Sequence, residues 1–334
     1  MIRHYNIPVF LPELACPFRC SYCNQSAVSG QQSLPDADEI RNVIERNLQS
    51  FTHKVRHVEI AFFGGSFTGL PLSSQAYYLN IAQPYLQNKH VQGIRISTRP
   101  DYIDTKTLEF LKTQGVKTIE LGAQSLDDEV LQKSGRGHSV ADVIAASQLI
   151  LEHGFRLGLQ MMIGLPADNF EKASHTAQQI IDAGAHETRI YPCLVLHDTA
   201  LEQLYRQGNY VPLSLSEAVE WSVALYLLFE KSGVVVLRTG LHASEELGGG
   251  GLLAGPYHPS FKALVMSAIW GKQFNEFAEW PTSEGVIIFT TSKELNFAVG
   301  HEAINKKKLL DRYQKVFFKA DPQLEGRDFY IQGC

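Results

Sequence analysis

The sequence predicts an α/β protein in which parallel strands and covering helices alternate over residues 1–240. Short apolar runs rich in β-branched and aromatic residues alternate with stretches of helical periodicity about every 30 residues. The strands are apolar along their length, as in a parallel sheet that is covered on both faces. Six or seven right-handed βαβ units fit a closed or partly open barrel better than a doubly wound sheet. The pattern alone does not decide between these two folds.

The individual elements follow from these patterns in chain order. Helix start signals include Pro35-Asp36 and the segment 214–217, which resembles a capping box. Strands are predicted at 7–14, 57–63, 93–98, 118–123, 156–164, 187–195 and 234–238. Helices are predicted at 36–49, 72–87, 104–114, 140–152, 169–183 and 216–231.

Residues 241–334 form a second region, which we expect to be a small α+β extension that caps the barrel. It begins with a glycine cluster at 248–251 and a helix near 259–271. A strand at 285–291, a helix near 302–313 and strands near 315–319 and 329–332 follow. They predict a βαββ-like tail from about residue 285.

Composition and charge exclude several classes of protein. The chain of 334 residues is 44% apolar and 19% charged, as in an ordinary globular protein. Its net charge of −5 provides no global positive field for nucleic acid, although a local basic patch is compatible with it. The N-terminus does not resemble a signal peptide, and there is no apolar run of about 18 residues, so we expect a cytoplasmic protein without a membrane span.

Three of the five cysteines lie close together, immediately after the first predicted strand. Cys16, Cys20 and Cys23 have the spacing C-x3-C-x2-C. A disulfide framework is a poor account of them without a secretory signal, whereas thiolates are the usual ligands of iron–sulfur clusters. Three thiolates leave one iron of a four-iron cluster open, as in a catalytic metal site. The alternatives are a zinc site without its fourth ligand and a chance grouping of buried thiols.

This motif, with the aromatic Tyr22 before its last cysteine, resembles the signature of the radical S-adenosylmethionine (radical SAM) superfamily. The resemblance implies a partial (β/α)6 barrel of the TIM type with a [4Fe–4S] cluster. It also implies that SAM chelates the open iron and that its reductive cleavage yields a 5′-deoxyadenosyl radical. A low-potential electron donor of the flavodoxin or ferredoxin type and sensitivity to oxygen follow from that chemistry.

Further segments resemble the elongator and oxygen-independent coproporphyrinogen oxidase branch of this superfamily. They are Phe63-Gly-Gly-Ser-Phe67, Thr98-Arg-Pro-Asp-Tyr102, Gln124, Arg136, the strand ending Ile163-Gly164, and Thr188-Arg-Ile-Tyr191-Pro192. Glutamine can donate to and accept from ribose hydroxyls, and arginine can hold a carboxylate through two hydrogen bonds. The resemblance implies a SAM-binding set composed of Tyr22, Gly64, Gly65, Ser66, Thr98, Gln124, Arg136, Ile163, Tyr191 and Pro192.

The elongator-like pattern extends from about residue 5 to residue 240, and nothing after it resembles the acetyltransferase domain of that family. Acetyl-dependent tRNA carboxymethylation is therefore not carried over to this chain. Two substrate classes remain: RNA, which the resemblance and a basic patch at 306–308 favour, and a small metabolite or cofactor precursor, which the acidic pI favours. A third interpretation, from another class, is a non-catalytic iron–sulfur sensor.

Three other features have two interpretations each. Cys193 is either a hydrogen donor in the radical reaction or a buried small hydrophobic residue. The glycine cluster at 248–251 belongs to a loop over the barrel mouth or to a flexible connector. Cys334, the last residue in the sequence, is expected to be mobile and incidental, unless it folds back over the site.

Overall fold

The structure is a computed structural model that describes residues 3–11, 20–24, 34–52, 56–241 and 250–334. Seven parallel strands form one sheet and curl into a half-barrel, in the order β1-β2-β3-β4-β5-β6-β8. Neighbouring strands of this sheet thus follow one another along the chain, as successive βαβ units require. Their bounds are β1 Arg3–Leu11, β2 Arg56–Gly64, β3 Gly93–Thr98, β4 Val116–Gln124, β5 Arg156–Ile163, β6 Glu187–Pro192 and β8 Val235–Thr239.

Helices connect these strands, and several begin where side chains satisfy free backbone N–H groups. Asp36 and Glu39 form a capping box at the first described helix, and Ser214 and Glu217 form the capping box that the sequence predicted. The helices are α1 Ala37–Ser50, α2 Leu72–Gln87, α3 Thr105–Thr113, α4 Asp128–Lys133, α5 Val140–Glu152, α6 Phe170–Asp182, α7 Ala200–Arg206 and α8 Leu215–Lys231.

The two faces of the sheet differ in character. One face carries residues such as Ile60, Ile94 and Ile119, which are fully buried in a core shared with helix residues such as Ile40 and Leu79. The alternate positions face the concave side and are mostly polar or charged; they include Glu59, Arg95, Glu120, Gln160, Glu187 and Arg189. The strands therefore alternate apolar and polar residues more than the sequence indicated, because helices cover only one face.

One helix of the C-terminal extension packs into the core of the half-barrel. Helix α9, Phe261–Glu276, places Val265 and Ile269 in the barrel core and Trp270 and Phe274 in a second core. That second core belongs to a three-stranded sheet in which β10 lies between a parallel and an antiparallel neighbour. The remaining elements are β10 Gly285–Thr290, α10 Leu295–Val299, α11 Ile304–Leu310, β11 Lys315–Ala320 and β12 Phe329–Gly333.

Most predicted elements are confirmed within a few residues, with one exception at 187–195. There the predicted strand is divided into β6 and β7, Val195–Leu196, because the chain leaves the sheet after Pro192 to pair antiparallel with β9, Leu252–Ala254. Residues 12–14 of the first predicted strand lie outside the described residues. The division of the chain at residue 240 stays a prediction. Among the described helices, none combines the length and apolar character that crossing a membrane requires.

Candidate active site

The residues that the sequence singled out lie at one edge of the sheet. Gly64 ends β2, Thr98 ends β3, Gln124 ends β4, Ile163 ends β5 and Pro192 ends β6. In parallel α/β barrels, this carboxyl edge is where catalytic residues gather, because the loops after the strands meet there. The structure therefore brings the end residues of five consecutive strands to one edge.

The described part of the cysteine motif is a tight turn above this edge. The backbone N–H of Cys23 donates to the carbonyl of Cys20 at 3.0 Å. Backbone hydrogen bonds from Ser21 to Ser134 O (2.9 Å) and from Leu201 to Ser21 O (2.7 Å) fix the turn between two other loops. Cys20 is buried and Cys23 is partly exposed. Cys16 lies outside the described residues.

Arg136 reaches this turn from the loop that follows α4. Its Nη1 atom donates to Cys20 Sγ at 3.4 Å, and its Nη2 atom donates to the carbonyl of Gly122 at 2.5 Å. A Cβ atom at Gly122 would lie 2.7 Å from Arg136 Nη2 and 2.9 Å from Gln124 Nε2. Glycine at 122 is thus what allows the guanidinium to lie on strand β4 next to the thiol.

Tyr22 has a different environment from the two cysteines. Its ring packs at the margin of an apolar cluster that contains Val130, Leu165 and Leu201. Burial raises the pKa of its hydroxyl well above the ordinary value, although Arg136 acts in the opposite direction. The phenol is neutral at physiological pH and anchors the cysteine turn to the fold. A contact between Tyr22 and SAM stays a prediction.

The Gly64-Gly65 pair lies against the end of β1, directly before the cysteine loop. Gly64 has φ +117°, and a Cβ atom there would lie 2.2 Å from the carbonyl oxygen of Leu11. The N–H of Gly65 donates to that same oxygen at 2.9 Å. Only glycine permits this approach, so the pair holds the end of β1 close against the end of β2. Ser66, the next residue, is buried.

Thr98 and Gln124 show how the neighbouring strand ends are shaped. The hydroxyls of Thr98 and Thr68 lie 2.6 Å apart, which ties the end of β3 to the turn after Ser66. Gln124 has φ +67°, a left-handed conformation that is uncommon for a residue with a side chain. The register between β4 and β5 shifts just before it. Backbone strain of this kind is concentrated at functional sites.

The end of β5 combines a buried strand residue with a polar turn. The side chain of Ile163 is fully buried in the core, and its carbonyl accepts a hydrogen bond from the N–H of Cys193 at 2.9 Å. Tyr210 OH donates to the Gly164 carbonyl at 2.5 Å, and the Gly164 N–H donates to Asp168 Oδ2 at 2.8 Å. Burial raises the pKa of Asp168 to about 6. Any contact of Ile163 with adenine stays a prediction.

Cys193 is buried in the same apolar cluster as Leu165 and Tyr210. Burial raises the pKa of its thiol to about 12, so it remains protonated at physiological pH. This environment is that of a small buried hydrophobic residue, which is one of its two predicted roles. Cys334 pairs with Gly285 through two backbone hydrogen bonds of 2.9 and 3.1 Å, in contrast to the expected mobility. Residues 248 and 249 of the glycine cluster lie outside the described residues.

Tyr191 and Pro192 end β6 on opposite sides of the sheet. Burial raises the pKa of the Tyr191 hydroxyl, which lies beside Arg189 on the concave face. Arg189 donates to Glu120 at 2.7 and 3.0 Å and lies over the ring of Phe63 at 5.0 Å from its centroid. Tyr191 therefore stands at the upper end of a charged network inside the half-barrel.

That network fills the lower concave face and was not anticipated from the sequence. Arg95 donates to Glu59 at 2.8 Å and to Glu120 at 2.6 Å, and it also donates to Glu187. Burial alone would raise the pKa of Glu120, but Arg189 and Arg95 lower it to about 2. The ionised carboxylates and arginines cross-link strands β2, β3, β4 and β6 beneath the site.

Two other buried residues near the site, His138 and Arg99, have environments that the sequence did not indicate. His138 is 7% exposed, and burial together with Arg136 and Arg99 lowers its pKa to about 4. Its Nε2 atom lies 3.3 Å from the carbonyl of Ala123. Arg99 is buried and donates to both carboxylate oxygens of Asp101 at 2.9 and 3.0 Å. Each depends on contacts between distant segments, which a single sequence does not reveal.

The donor set fits an iron–sulfur cluster. Two thiols lie on one turn, and a buried cation, Arg136, donates a hydrogen bond to one of them. A group of three metal-binding side chains is not found among residues 3–11, 20–24, 34–52, 56–241 and 250–334, which exclude Cys16. Cys20 and Cys23 lie on one turn, and the three-thiolate set that also includes Cys16 stays a prediction.

A parallel half-barrel with thiols and a polar cradle at its carboxyl edge defines a cofactor-dependent α/β enzyme of the TIM-like class. The family model described as "Radical SAM superfamily" matches residues 14–180, and the "Radical_SAM C-terminal domain" model matches residues 185–270. The chain belongs to the radical SAM superfamily.

Similar proteins come from the elongator branch. The chain is 27% identical to the tRNA uridine(34) acetyltransferase of Methanocaldococcus infernus, covering 52% of this chain and 36% of that relative. It is 30% identical to elongator complex protein 3 of Dictyostelium discoideum, over 53% of this chain and 36% of that relative. The chain thus spans about a third of the length of these two relatives.

A solved structure has the same fold. The archaeal Methanocaldococcus infernus Elp3 with an N-terminal deletion superposes with a TM-score of 0.67 and 22% identity, covering 82% of this chain and 64% of that chain. At this identity the likeness demonstrates the fold alone. It agrees with the partial barrel that the sequence resemblance implied.

Proposed function

We propose that the protein binds a [4Fe–4S] cluster through Cys16, Cys20 and Cys23, cleaves SAM there, and abstracts hydrogen from an RNA substrate. The strongest support is the turn of Cys20 and Cys23 at the carboxyl edge of the half-barrel, within hydrogen-bonding reach of Arg136. With reducing equivalents from a low-potential donor of the flavodoxin or ferredoxin type, the bound cluster would supply the electron that converts SAM to methionine and a 5′-deoxyadenosyl radical.

The chain's own residues would hold and orient the two cofactors. The glycine pair Gly64-Gly65 lies against the end of β1, where the amino group of SAM would approach the backbone. The Gln124 amide and the Arg136 guanidinium offer groups suited to hydroxyls and a carboxylate. The closed cysteine turn and the buried Tyr22 ring would exclude water from one side of the cluster. The remaining candidates are Ser66, Thr98, Ile163, Tyr191 and Pro192.

RNA is the favoured substrate because the similar proteins include a tRNA uridine(34) acetyltransferase. A small metabolite or cofactor precursor is the second candidate, and the net charge of −5 favours it. The two differ in one measurable property. RNA binding through phosphate contacts weakens steeply as salt increases, whereas binding of an uncharged metabolite does not. A cytoplasmic location also stays a prediction.

The test is anaerobic reconstitution with iron and sulfide, followed by dithionite and SAM, with 5′-deoxyadenosine as the product measured. We expect the wild type and Cys334→Ala to form the product, and Cys20→Ala to form none and to lose most of its iron. Cys334 is an exposed cysteine outside the motif and serves as the matched control. A four-iron cluster that forms without SAM cleavage under any reductant would contradict the enzymatic proposal and favour a sensor.

A further inference from the structure

Arg238 and Lys262 are two cations at the β8 edge of the half-barrel that form no ion pair within the described residues. Arg238 lies on β8, and Lys262 is the second residue of α9. The groups that interact electrostatically with Arg238 are Tyr191 and another arginine, Arg189, rather than a carboxylate. Lys262 is acted on by Arg238 and by Glu294, whose Oε2 atom accepts a hydrogen bond from Trp270 Nε1 at 2.9 Å.

The backbone brings the two cations together at the mouth of the barrel. Arg238 pairs in parallel register with Arg189, so its side chain shares the concave face of the sheet. Gly240 follows β8, and a Cβ atom built there would lie 2.7 Å from the Cβ atom of Phe261, the first residue of α9. Helix α9 therefore begins against the carboxyl end of β8, and Lys262 is placed next to the strand that carries Arg238.

Among the described residues of the concave face, the charges below this pair are balanced, so Arg238 adds a cation to a balanced set. On the concave face, each carboxylate of the network forms ion pairs with arginines of the network. The described network contains as many carboxylates as arginines. The carboxylates are Glu59, Glu120 and Glu187, and the arginines are Arg95, Arg156 and Arg189.

Two neighbouring cations that form no ion pair within the described residues repel each other in the absence of a ligand. Burial lowers the pKa of both Arg238 and Lys262, and the mutual repulsion of the two cations lowers that of Lys262 further. Lys262 is nevertheless solvent-accessible. Such an arrangement is maintained at a cost to stability where a ligand supplies the opposite charge.

We propose that Arg238 and Lys262 bind an oxyanion of the substrate, in the form of a phosphate group. We assign the phosphate to the substrate rather than to SAM, because SAM carries no phosphate group and the cysteine turn follows β1, at the other edge of the sheet from β8. This inference rests on the proposed function, in that the molecule that carries the phosphate is the one that reacts at the barrel. A phosphodiester of RNA and the phosphate of a small metabolite are the two sources of this chemistry.

The experiment compares the double variant Arg238→Gln/Lys262→Gln with a double variant of equal charge, Arg41→Gln/Lys272→Gln. Arg41 lies exposed on α1, and Lys272 lies exposed on α9, about 15 Å along the helix from Lys262. The reconstituted proteins are titrated with a fluorescein-labelled oligouridylate at several salt concentrations, and separately with uridine 5′-monophosphate. A third variant, Arg238→Lys/Lys262→Arg, retains both charges.

If the phosphate belongs to RNA, the Gln double variant binds the oligouridylate roughly tenfold more weakly, and its salt slope is smaller by about 0.7 because one phosphate contact is lost. The equal-charge control and the charge-retaining variant bind like the wild type. Weaker binding of the monophosphate alone supports the same site with a small phosphorylated substrate. If neither ligand binds more weakly, the proposal is overturned.

Folding and SAM cleavage are measured separately from the binding of the two phosphate ligands. Because the variant removes repulsion, its melting temperature should not fall below that of the wild type. Should it fail to fold, Lys262→Gln alone is expected to change the salt slope by about half as much. The cleavage of SAM by the wild type without substrate tests the proposed function independently. Wild-type cleavage together with unchanged binding in the Gln double variant would reject the oxyanion site only.

Discussion

The Nη1 atom of Arg136 lies 3.4 Å from the Sγ atom of Cys20, although 116 positions separate the two residues in the chain. The loop after α4 thus contributes a buried cation to the cysteine turn. A hydrogen bond to a thiolate ligand withdraws electron density from an iron–sulfur cluster and favours its reduced, more negative state. Arg136 therefore has a second potential role besides the contact with the SAM carboxylate that the sequence predicted.

Replacing Arg136 should lower the reduction potential of the reconstituted cluster. We expect Arg136→Gln to shift the potential in the negative direction by on the order of 50 mV, close to a tenfold change in a one-electron equilibrium. Arg136→Lys should shift it less, because the positive charge remains. The measurement is a redox titration followed by electron paramagnetic resonance. Equal potentials in all three proteins would show that the guanidinium does not act on the cluster.

Adding a methyl group at Gly122 should displace Arg136 without removing it. The new Cβ atom in Gly122→Ala would meet Arg136 Nη2 and Gln124 Nε2 at 2.7 and 2.9 Å, so both side chains must move. We expect the cluster potential to shift in the same direction as in Arg136→Gln, and SAM to bind at least several-fold more weakly. Equilibrium dialysis with labelled SAM measures the second effect. Wild-type values for both quantities would mean that the side chains reorganise at no functional cost.

The sequence was most informative where the signal was local. Runs of apolar residues marked the strands, and the close approach at Gly64 agrees with a glycine pair directly after a strand. The capping box of Ser214 and Glu217 was also visible, because its partners are three residues apart. Such features depend on neighbouring residues alone.

What the sequence did not reveal depends on contacts across the sheet. Arg95 and Glu120 lie in runs that read as buried apolar strands, and their pairing becomes apparent only when β3 and β4 are adjacent. His138 was similarly hidden, because its environment is provided by Arg99 and Arg136 from two other loops. A single sequence carries no information on such pairs.

The buried network predicts a large loss of stability when one carboxylate is neutralised. In Glu120→Gln, Arg95 and Arg189 remain buried with one negative charge fewer, so we expect the free energy of unfolding to fall by about 3–5 kcal/mol. The exposed Glu109 on α3 provides the control substitution Glu109→Gln, which should change stability by less than about 0.5 kcal/mol. Urea denaturation followed by circular dichroism measures both. A similar small change in the two variants would show that the network contributes little.

His138 predicts how stability depends on pH. Its pKa of about 4 in the fold lies below the ordinary value of 6.5, so the unfolded chain binds the proton more readily. The contribution of neutral His138 to the free energy of unfolding is complete above about pH 6.5 and is lost as the pH falls toward 4. At pH 5 the free energy of unfolding is lower by about 2 kcal/mol. His138→Gln keeps an N–H donor toward the Ala123 carbonyl but does not titrate, so its stability should decrease less between pH 7 and pH 5.

The comparison between proteins isolates this histidine from other titrating groups. Asp168, with a pKa raised to about 6 by burial, acts in the opposite direction but is present in every variant. The control is His90→Gln, which replaces an exposed histidine after α2 and should retain the wild-type pH dependence. Urea denaturation at pH 7 and at pH 5 gives two free energies of unfolding for each protein. Each variant is compared with the wild type through these four values. A wild-type pH dependence in His138→Gln would mean that His138 is protonated in the folded protein as readily as in the unfolded chain.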